Sequence, residues 1–392
     1  MSEDGIQPIY GKNKFGPFFF VFNGNIPCND YDNSYTLDSI MIRDFFINNA
    51  NNCSNWSKLL QQFVIRFKRA YSIILFSSED IYLIKDRFGV RPLCYSFSND
   101  KQILEISSES VGLSYKNPIQ EVKPGEILLF NTRNIKTPLV IFNYNETNNI
   151  SNKYGGKCIF EYVYFLNPNT IWNNIHVDAI RAKWANKLSE IDIELIQNNI
   201  KEDYLVIGIP STGIVDGIKY ADKLGLNYFQ AITKNSKVNR TFILSKEERD
   251  IVSKKKYIYD SDKINGKKVI ILDDSIVRGV TMKNMVGNIF DCGAAEVHIR
   301  IISPEITNIC KYGKDIPTCD ELIAANMDNK QMTKYFGATS LIFLDIFDML
   351  DTIDPYINKK TICSGCFGGS YGDVEDIKDI CNKRIKTIDK QL

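Results

Sequence analysis

Features that would assign this chain of 392 residues to a membrane or to the secretory pathway are missing. No apolar run approaches the roughly 18 consecutive residues of a membrane span. The opening residues, Met-Ser-Glu-Asp-Gly, contain neither the basic region nor the apolar core of an export signal. We therefore expect a cytoplasmic protein that binds no membrane. Its ten cysteines are then expected to be thiols or metal ligands rather than a disulfide framework.

An excess of charge of either sign is also lacking. The 48 lysine and arginine residues balance 47 aspartate and glutamate residues, which gives a formal net charge of +1. Such a balance creates no global field for nucleic acid, and no recognisable DNA-binding module is present. We therefore expect no nucleic-acid partner, and any anion site must be local.

The chain divides into two differently patterned halves around a turn- and asparagine-rich stretch at residues 143–156. Short β-like runs predominate before this stretch. After it, strands and helices alternate in the pattern of a parallel sheet covered by helices. We predict one domain over residues 1–150, a second over residues 157–345 and a C-terminal segment over residues 346–392.

The most informative stretch is residues 269–281, Val-Ile-Ile-Leu-Asp-Asp-Ser-Ile-Val-Arg-Gly-Val-Thr. An apolar strand leads into Asp273 and Asp274, which can meet ribose hydroxyls or Mg²⁺ at the strand's carboxyl end. The loop that follows offers a phosphate its backbone N–H groups, hydroxyls and the N-terminus of a helix. A bare Asp-Asp-Ser is often only a capped strand-to-helix turn, but the longer string favours a sugar-phosphate site. Its candidate phosphate ligands are Ser275, Arg278, Gly279 and Thr281.

This string resembles the phosphoribosyl pyrophosphate (PRPP) signature of type I phosphoribosyltransferases, and other segments resemble the glutamine PRPP amidotransferase family. Residues 207–213 are similar to the family's pyrophosphate-binding turn, with Thr212 in the place of a hydroxyl ligand to Mg²⁺. The resemblance implies that Asp273 and Asp274 also bind this Mg²⁺ and act in catalysis.

Residues 234–243 resemble the start of the family's mobile loop, which closes on PRPP. The resemblance implies that this loop grips phosphate oxygens through Lys234, Arg240 and Thr241, with Arg240 taking part in catalysis, and that Arg249 assists. The segment departs from the family pattern at Ser236, Lys237 and Asn239.

Four cysteines form a second constellation, of which Cys363-Ser-Gly-Cys366 is the visible core. A lone Cys-x-x-Cys can hold zinc, serve redox chemistry or have no role. The contexts of Cys158 and Cys310 resemble those that supply two more thiolates in the iron–sulfur subgroup of the family. The resemblance implies a structural [4Fe–4S] cluster on all four cysteines, although four thiolates would satisfy tetrahedral zinc equally well.

The first half resembles the family's glutaminase domain, an N-terminal nucleophile hydrolase, from partway through. Asn23 and Gly24 fall where the family forms its oxyanion hole, Asp38 falls where it recognises the amino group of glutamine, and Phe22 replaces the usual histidine. The family's nucleophilic cysteine and a glutamine-gripping arginine precede the matching region. Asn23, Gly24 and Asp38 are therefore expected to be remnants of a glutamine site.

We therefore expect a fold of α/β and α+β class, in which a truncated nucleophile hydrolase-like sandwich precedes a type I phosphoribosyltransferase domain with a parallel sheet. The resemblance implies an enzyme that makes 5-phosphoribosylamine and pyrophosphate from PRPP and ammonia or glutamine, the first committed step of purine biosynthesis. It further implies Mg²⁺, a homo-oligomer, and ammonia from solution or from a separate glutaminase fragment. The alternatives are a non-catalytic sensor of PRPP or nucleotides, and a gene remnant or mis-assigned start.

Overall fold

The computed structural model describes residues 5–27, 35–114, 118–148, 157–235, 256–314, 316 and 318–371. Within these residues lie two large sheets of different kinds. The large sheet of the N-terminal half has six antiparallel strands, and that of the C-terminal half has five parallel strands. None of the helices in the described ranges is both long and apolar enough to cross a membrane.

The N-terminal half consists of β1 (Ile9–Asn13), β2 (Gly16–Asn25), α1 (Asp38–Asn48), α2 (Trp56–Arg66), β3 (Ala70–Phe76), β4 (Asp80–Lys85), β5 (Cys94–Phe97), β6 (Leu104–Ser107), β7 (Gln120–Glu121), β8 (Glu126–Asn131), β9 (Asn134–Asn143) and α3 (Tyr144–Thr147). The large sheet has the order β1-β2-β3-β4-β8-β9, and a small one has the order β6-β5-β7.

Alternating burial along β2, and burial of both faces of β4, explain how these elements form layers. Phe18 and Phe20 of β2 are buried and pack with α1 and α2, whereas Phe19 between them is exposed. Leu83 of β4 faces the opposite way and packs against Phe97 of the small sheet. The result is a sandwich of two sheets with helices on one side.

The C-terminal half consists of β10 (Lys157–Cys158), a π-helical turn (Glu161–Phe165), β11 (Ile171–Trp172), β12 (Ile175–His176), α4 (Val177–Ser189), α5 (Ile193–Gln197), β13 (Tyr204–Gly208), α6 (Gly213–Leu224), β14 (Asn227–Tyr228), β15 (Ile232–Lys234), β16 (Tyr257–Tyr259), α7 (Ser261–Ile264), β17 (Lys268–Asp273), α8 (Val280–Asp291), β18 (Glu296–Ile301), α9 (Ile323–Asn326), α10 (Asn329–Phe336), β19 (Ser340–Phe343), α11 (Ile346–Ile353) and β20 (Ile362–Cys363).

The parallel sheet has the order β14-β13-β17-β18-β19 and is covered on both faces. Ile270 and Leu272 of β17 pack with α4, α6 and α11 on one face, and Val269 and Ile271 pack with α8 and α10 on the other. A strand buried on both faces must be apolar throughout, which explains the continuous apolar run at this point of the sequence. The predicted helix-covered parallel sheet is confirmed.

The two halves meet at residues 310–314, which follow β18. Arg69 donates a hydrogen bond of 2.8 Å from Nη1 to the carbonyl of Lys311, and the amide of Ala70 donates to the carbonyl of Tyr312 at 3.3 Å. The ring of Phe88 lies 4.7 Å from that of Tyr312, measured between centroids. Strand pairing between β10 and β20 brings the end of the described chain to the same place. The junction therefore joins segments that are distant in sequence.

Candidate functional site

A cleft of about 850 Å³ lies at the carboxyl ends of β13 and β17. These two strands are neighbours in the parallel sheet, so the loops that follow them leave the sheet side by side. Every predicted PRPP or Mg²⁺ ligand that the structure describes lines this cleft: Thr212, Lys234, Asp273, Asp274, Ser275, Arg278, Gly279 and Thr281. Arg240, Thr241, Arg249 and the three departures from the family loop lie outside the described residues.

Two glycines allow the loops to approach each other and the helices behind them. Gly279 has φ of +78° and immediately precedes α8, so the N-terminus of this helix begins at the cleft. A Cβ at Gly279 would lie 2.6 Å from Cδ1 of Ile323, and one at Gly213 would lie 2.3 Å from the carbonyl oxygen of Leu272. The loop path therefore requires glycine at both positions.

Asp273 and Asp274 form an acidic pair at the floor of the cleft. The amide of Asp274 donates to Oδ1 of Asp273 at 2.9 Å, and the Ser275 hydroxyl donates to Oδ1 of Asp274 at 2.6 Å. Burial and the neighbouring Asp274 raise the pKa of Asp273 well above its ordinary value. Burial also raises the pKa of Asp274, while hydrogen bonds from Ser275 and Thr212 act against that rise. Two crowded carboxylates of this kind favour a bound cation.

The donor set of this pair fits Mg²⁺. The ion prefers oxygen ligands and usually takes one or two carboxylates, with water and substrate phosphates completing its coordination. Asp273 and Asp274 supply the carboxylates, and the Thr212 hydroxyl lies within hydrogen-bonding reach of Asp274. Nothing in the described ranges brings three acidic, histidine or cysteine side chains together around one ion. A Mg²⁺ held here would therefore depend on its substrate for part of its coordination.

Below the acidic pair lie two charges that the sequence did not reveal. Asp216 of α6 has no solvent exposure, and neither of its carboxylate oxygens has a hydrogen-bond partner in the described part of the chain. Arg181 of α4 is buried and donates to the carbonyls of Tyr162 and Leu166 at 2.6 and 2.9 Å. Burial raises the pKa of Asp216 to about 7, with Arg181 acting against this rise and Asp274 adding to it.

Three cationic side chains surround the opening of the cleft. Lys234 donates to the Ser211 hydroxyl at 3.2 Å, and Arg278 donates to one carboxylate oxygen of Glu321 at 2.9 and 3.2 Å. Lys256 also lines the cleft, because antiparallel pairing of β15 with β16 places Lys234 opposite its neighbour Tyr257. Lys256 was not predicted from the sequence, because it lies in a lysine-rich stretch without a distinguishing motif.

An aromatic wall closes another side of the cleft and was also missed from the sequence. It consists of Phe160, Tyr164 and Phe165, at the π-helical turn that follows β10. The ring centroids of Phe160 and Tyr164 are 6.1 Å apart, and those of Phe160 and Phe165 are 5.4 Å apart. The only signal available was the aromatic string at residues 160–165, which is equally typical of a core segment.

The four cysteines of the predicted cluster lie together at the junction. Cys158 is opposite Cys363 in the parallel β10–β20 pair, and both are buried with Cys366, with Cys310 packed against them. Burial raises the pKa of Cys366 well above its ordinary value, and the other three thiols add to this rise. All four are free thiols, whereas Cys319 is disulfide-bonded, so the expectation of a thiol or metal ligand is wrong at Cys319.

The three predicted glutamine-site residues lie near one end of β2. Asp38 accepts hydrogen bonds from the amides of Ile26 at 3.2 Å and Ser39 at 2.8 Å, and burial raises its pKa. The Asn23 side chain donates to the Ser108 hydroxyl at 3.4 Å. At Gly24, a Cβ would lie 2.6 Å from the carbonyl oxygen of Ala70.

Comparison with known proteins identifies the family. The model of the phosphoribosyl transferase domain family matches residues 176–331, which include the cleft loops of β13 and β17. The amidophosphoribosyltransferase of Pyrococcus horikoshii is 31% identical over 336 residues, which cover 86% of this chain and 70% of that protein. The chain belongs to the amidophosphoribosyltransferase family. It is thus a member of an enzyme family, and the resemblance noted in the sequence is confirmed.

Other members of the amidophosphoribosyltransferase family match as extensively. The Methanocaldococcus jannaschii protein is 28% identical over 387 residues, which cover 94% of this chain and 79% of that protein. A solved structure of the glutamine PRPP amidotransferase from B. subtilis, complexed with ADP and GMP, superimposes with a TM-score of 0.78 at 25% identity. That match covers 96% of this chain and 82% of the B. subtilis chain. The predicted fold class is therefore confirmed.

Proposed function

We infer that the chain is an amidophosphoribosyltransferase that forms 5-phosphoribosylamine and pyrophosphate from PRPP and ammonia or glutamine, the first committed step of purine biosynthesis. One observation carries this inference: the acidic pair, the phosphate loop and the hydroxyl of the neighbouring turn all line one cleft at the ends of β13 and β17. Membership of the family indicates which reaction to expect, and the cleft is the candidate site for that reaction.

The proposed PRPP site uses backbone and side chains of different loops. The amides before α8 and the hydroxyls of Ser275 and Thr281 would bind the 5-phosphate, which the positive end of the helix favours. Lys234 and Lys256, on the paired strands β15 and β16, would contact pyrophosphate oxygens. Arg240 and Thr241 are proposed to complete this grip.

Thr212, Asp273 and Asp274 are proposed to hold Mg²⁺. When bound, the ion neutralises pyrophosphate and makes it a better leaving group. The two carboxylates would also face the ribose and stabilise positive charge that develops at its C1 carbon. The Ser275 and Thr212 hydroxyls hold Asp274 in place for this contact.

The chemical step then needs little covalent help from the protein. Ammonia forms a bond to C1 as the bond from C1 to pyrophosphate breaks, and a proton leaves the new amine to solvent. Phe160, Tyr164 and Phe165 would exclude water, which would otherwise compete with ammonia at C1. The chain mainly positions PRPP and ammonia, neutralises the charge of the pyrophosphate and excludes water from C1.

The four cysteines are proposed to hold a structural [4Fe–4S] cluster. Four thiolates would satisfy tetrahedral zinc equally well, so the choice of iron rests on the resemblance to the iron–sulfur subgroup of the family. Three buried thiols, with the half-buried Cys310 packed against them, would supply the four thiolates. Such a cluster would fasten β10 and β20 to the junction.

The nitrogen source is best tested directly. On anaerobically purified protein with Mg²⁺ and PRPP, pyrophosphate release is measured with an ammonium salt and, separately, with glutamine. We expect release with ammonia, and the absence of release with glutamine would support the prediction that Asn23, Gly24 and Asp38 are remnants of a glutamine site. Release with glutamine would instead mean that they belong to a working glutaminase. The homo-oligomer and the separate glutaminase fragment stay predictions.

The same assay separates an enzyme from a sensor. PRPP that binds without release under either condition would favour a non-catalytic PRPP-binding homologue. Asp274→Asn should lower turnover on the order of 100-fold without unfolding the protein, because it removes a charge that the transition state requires. Asp222→Asn, at an exposed position of α6, is the matched control and should leave turnover unchanged.

A further inference from the structure

One side chain of the N-terminal half reaches the aromatic wall of the cleft. Arg91 lies between β4 and β5, and its Cζ atom is 5.8 Å from the centroid of the Phe165 ring. Its Nη1 atom lies 3.6 Å from Oε1 of Glu161, which is buried. Glu161 and Phe165 are the two ends of the π-helical turn at the aromatic wall. The guanidinium group of Arg91 therefore lies against both ends of this turn.

The loop that carries Arg91 is fixed by a buried carboxylate. Asp86 directly follows β4, has no solvent exposure and accepts hydrogen bonds from the amides of Gly89 at 2.8 Å and Val90 at 3.1 Å. The hydroxyl of Ser72 in β3 donates to the carbonyl of Arg91 at 3.2 Å. A buried polar network of this kind makes a loop rigid. The N-terminal half therefore presents the guanidinium group at a defined position.

A second cation holds the same two residues from the junction. Lys314 is 4% exposed, and its ammonium group pairs with Oε1 of Glu161. Its Nζ atom also lies 3.8 Å from the centroid of the Phe165 ring. A cation is attracted to an aromatic ring more strongly where water is excluded, so these contacts restrict movement of the ring. The Phe165 ring is thus held by charges from the N-terminal half and from the junction.

The same ring is part of the lining of the cleft. Phe165 lines it together with the acidic pair Asp273 and Asp274, beside which the ribose is proposed to bind. A wall that keeps water from a reactive carbon must stay in place while that carbon develops positive charge. Movement of the Phe165 ring away from the cleft would admit water as a competing nucleophile.

We propose that Arg91 is a positioning residue for the transferase reaction: it holds the Phe165 ring at the cleft so that ammonia, and not water, reaches C1 of PRPP. In the step that this suppresses, a water oxygen forms a bond to C1 as the bond from C1 to pyrophosphate breaks. A proton leaves to solvent, and the product is ribose 5-phosphate. The inference rests on the proposed amidophosphoribosyltransferase function. Arg91 acts through Glu161 and Phe165 and touches no substrate.

Pyrophosphate release with and without an ammonium salt tests this proposal. Wild type, Arg91→Met and Arg91→Lys are assayed with Mg²⁺ and PRPP at one pH, and the rate without ammonium is divided by the rate at saturating ammonium. We expect this ratio to rise on the order of tenfold in Arg91→Met, because a displaced wall admits water. Arg91→Lys keeps the positive charge and should recover most of the wild-type ratio. The ratio does not depend on the fraction of folded protein, so a loss of stability alone would leave it unchanged.

A second variant tests whether Arg91 acts through the ring. Phe165→Leu removes the ring but leaves Glu161 and both cations in place, and it should raise the ratio as Arg91→Met does. The double variant should then have the ratio of the more affected single variant rather than the product of the two effects. Arg133→Met is the control and should leave the ratio unchanged, because Arg133 also pairs with a glutamate, 2.7 Å from Glu79, but its side chain is 79% exposed.

The outcomes separate this inference from the proposed function. A wild-type protein that releases no pyrophosphate with ammonium would overturn the function and this inference together. If wild type is active and Arg91→Met has the same ratio, the function stands and the role of Arg91 is overturned. An unchanged ratio in Phe165→Leu would also overturn that role, including where Arg91→Met does not fold. Multiplied effects in the double variant would likewise overturn it, because Arg91 would then act by another route.

Discussion

Asp216 places a third carboxyl group beside the acidic pair of the cleft. It enters from α6, one turn after Thr212, and Arg181 favours its ionised form whereas Asp274 disfavours it. An ionised carboxylate with no hydrogen-bond partner and no exposure is costly, so this residue favours its protonated form. A protonated Asp216 adds no further negative charge next to Asp273 and Asp274, where the cation and the ribose are proposed to bind.

Asp216→Asn should therefore change how stability depends on pH. The pKa of Asp216 is raised in the folded protein to about 7 from an ordinary value of 3.8. The stability that protonated Asp216 contributes is complete at a pH below its pKa in the unfolded chain. It is lost as the pH rises through its pKa in the folded protein. Asparagine does not ionise, so the unfolding free energy of the variant, relative to that of wild type, should increase by on the order of 2 kcal/mol from pH 5 to pH 8. Urea unfolding of the metal-free proteins at the two pH values measures this difference.

The control for this prediction is an aspartate on the same helix with a different environment. Asp222 of α6 is exposed, so Asp222→Asn should show the same pH dependence as wild type. A stability difference between Asp216→Asn and wild type that stays constant from pH 5 to pH 8 would mean that Asp216 is ionised throughout.

The element that the sequence predicted best is the strand, loop and helix of residues 268–291. An apolar run followed by charge indicated β17, and the helical pattern from Met282 indicated α8, which begins at Val280. Both signals are local, since they depend on burial and capping within about twenty residues. Lys256 and the aromatic wall gave no such signal, because strand pairing and the packing of β10 on β20 bring them to the cleft.

Asp216 and Lys314 show the same limit for charged residues. Asp216 lies between Val215 and Gly217 of an amphipathic helix, and Lys314 lies in a turn after Cys310. In sequence both resemble ordinary surface charges, which are far more common than buried ones. Only the partners that the fold provides, Arg181 for the first and Glu161 for the second, distinguish them.

Gly279→Ala should damage the loop and the helix start together. The added Cβ would lie 2.6 Å from Ile323 of α9 and 2.9 Å from the Phe336 ring of α10, at a φ of +78° that disfavours any side chain. We expect a loss of about 1–3 kcal/mol in unfolding free energy and a higher KM for PRPP, because the phosphate loop must move. Chemical denaturation and steady-state kinetics measure the two effects.

Gly287→Ala is the matched control within the same helix. A Cβ at Gly287 would meet no heavy atom within 4 Å, and the residue lies in the interior of α8. Alanine should therefore stabilise the protein by about 0.5–1 kcal/mol without changing KM. If Gly279→Ala left both stability and KM unchanged, the loop would not need the path that glycine allows.

At the scale of the whole molecule, residues 310–314 join three parts of the protein. They accept hydrogen bonds from Arg69 and Ala70 of the N-terminal half, carry Cys310 of the cysteine site and carry Lys314, whose ammonium contacts the cleft wall at Phe165. The segment also packs into the largest core cluster, which includes Tyr312 and both sheets. A substitution in this segment should therefore affect both the interface between the halves and the cysteine site.

Gly313→Ala tests this joint with a control that has the same backbone strain. Gly313 has φ of +82°, and its added Cβ would lie 2.6 Å from the carbonyl oxygen of Asn25 in the N-terminal half. Gly337 has φ of +70°, and a Cβ there would meet nothing within 4 Å. Both alanine variants incur strain of about 1 kcal/mol from the left-handed conformation, but only Gly313→Ala must also push the two halves apart.

We expect calorimetry to show one unfolding transition for wild type and for Gly337→Ala, and a broadened or split transition for Gly313→Ala, because the halves then unfold less cooperatively. Metal retention should fall in Gly313→Ala alone, since Cys310 moves with the segment. Equal behaviour of the two variants would show that only backbone strain matters at Gly313. In that case the cysteine site and the interface would be held by the pairing of β10 with β20, which neither variant touches.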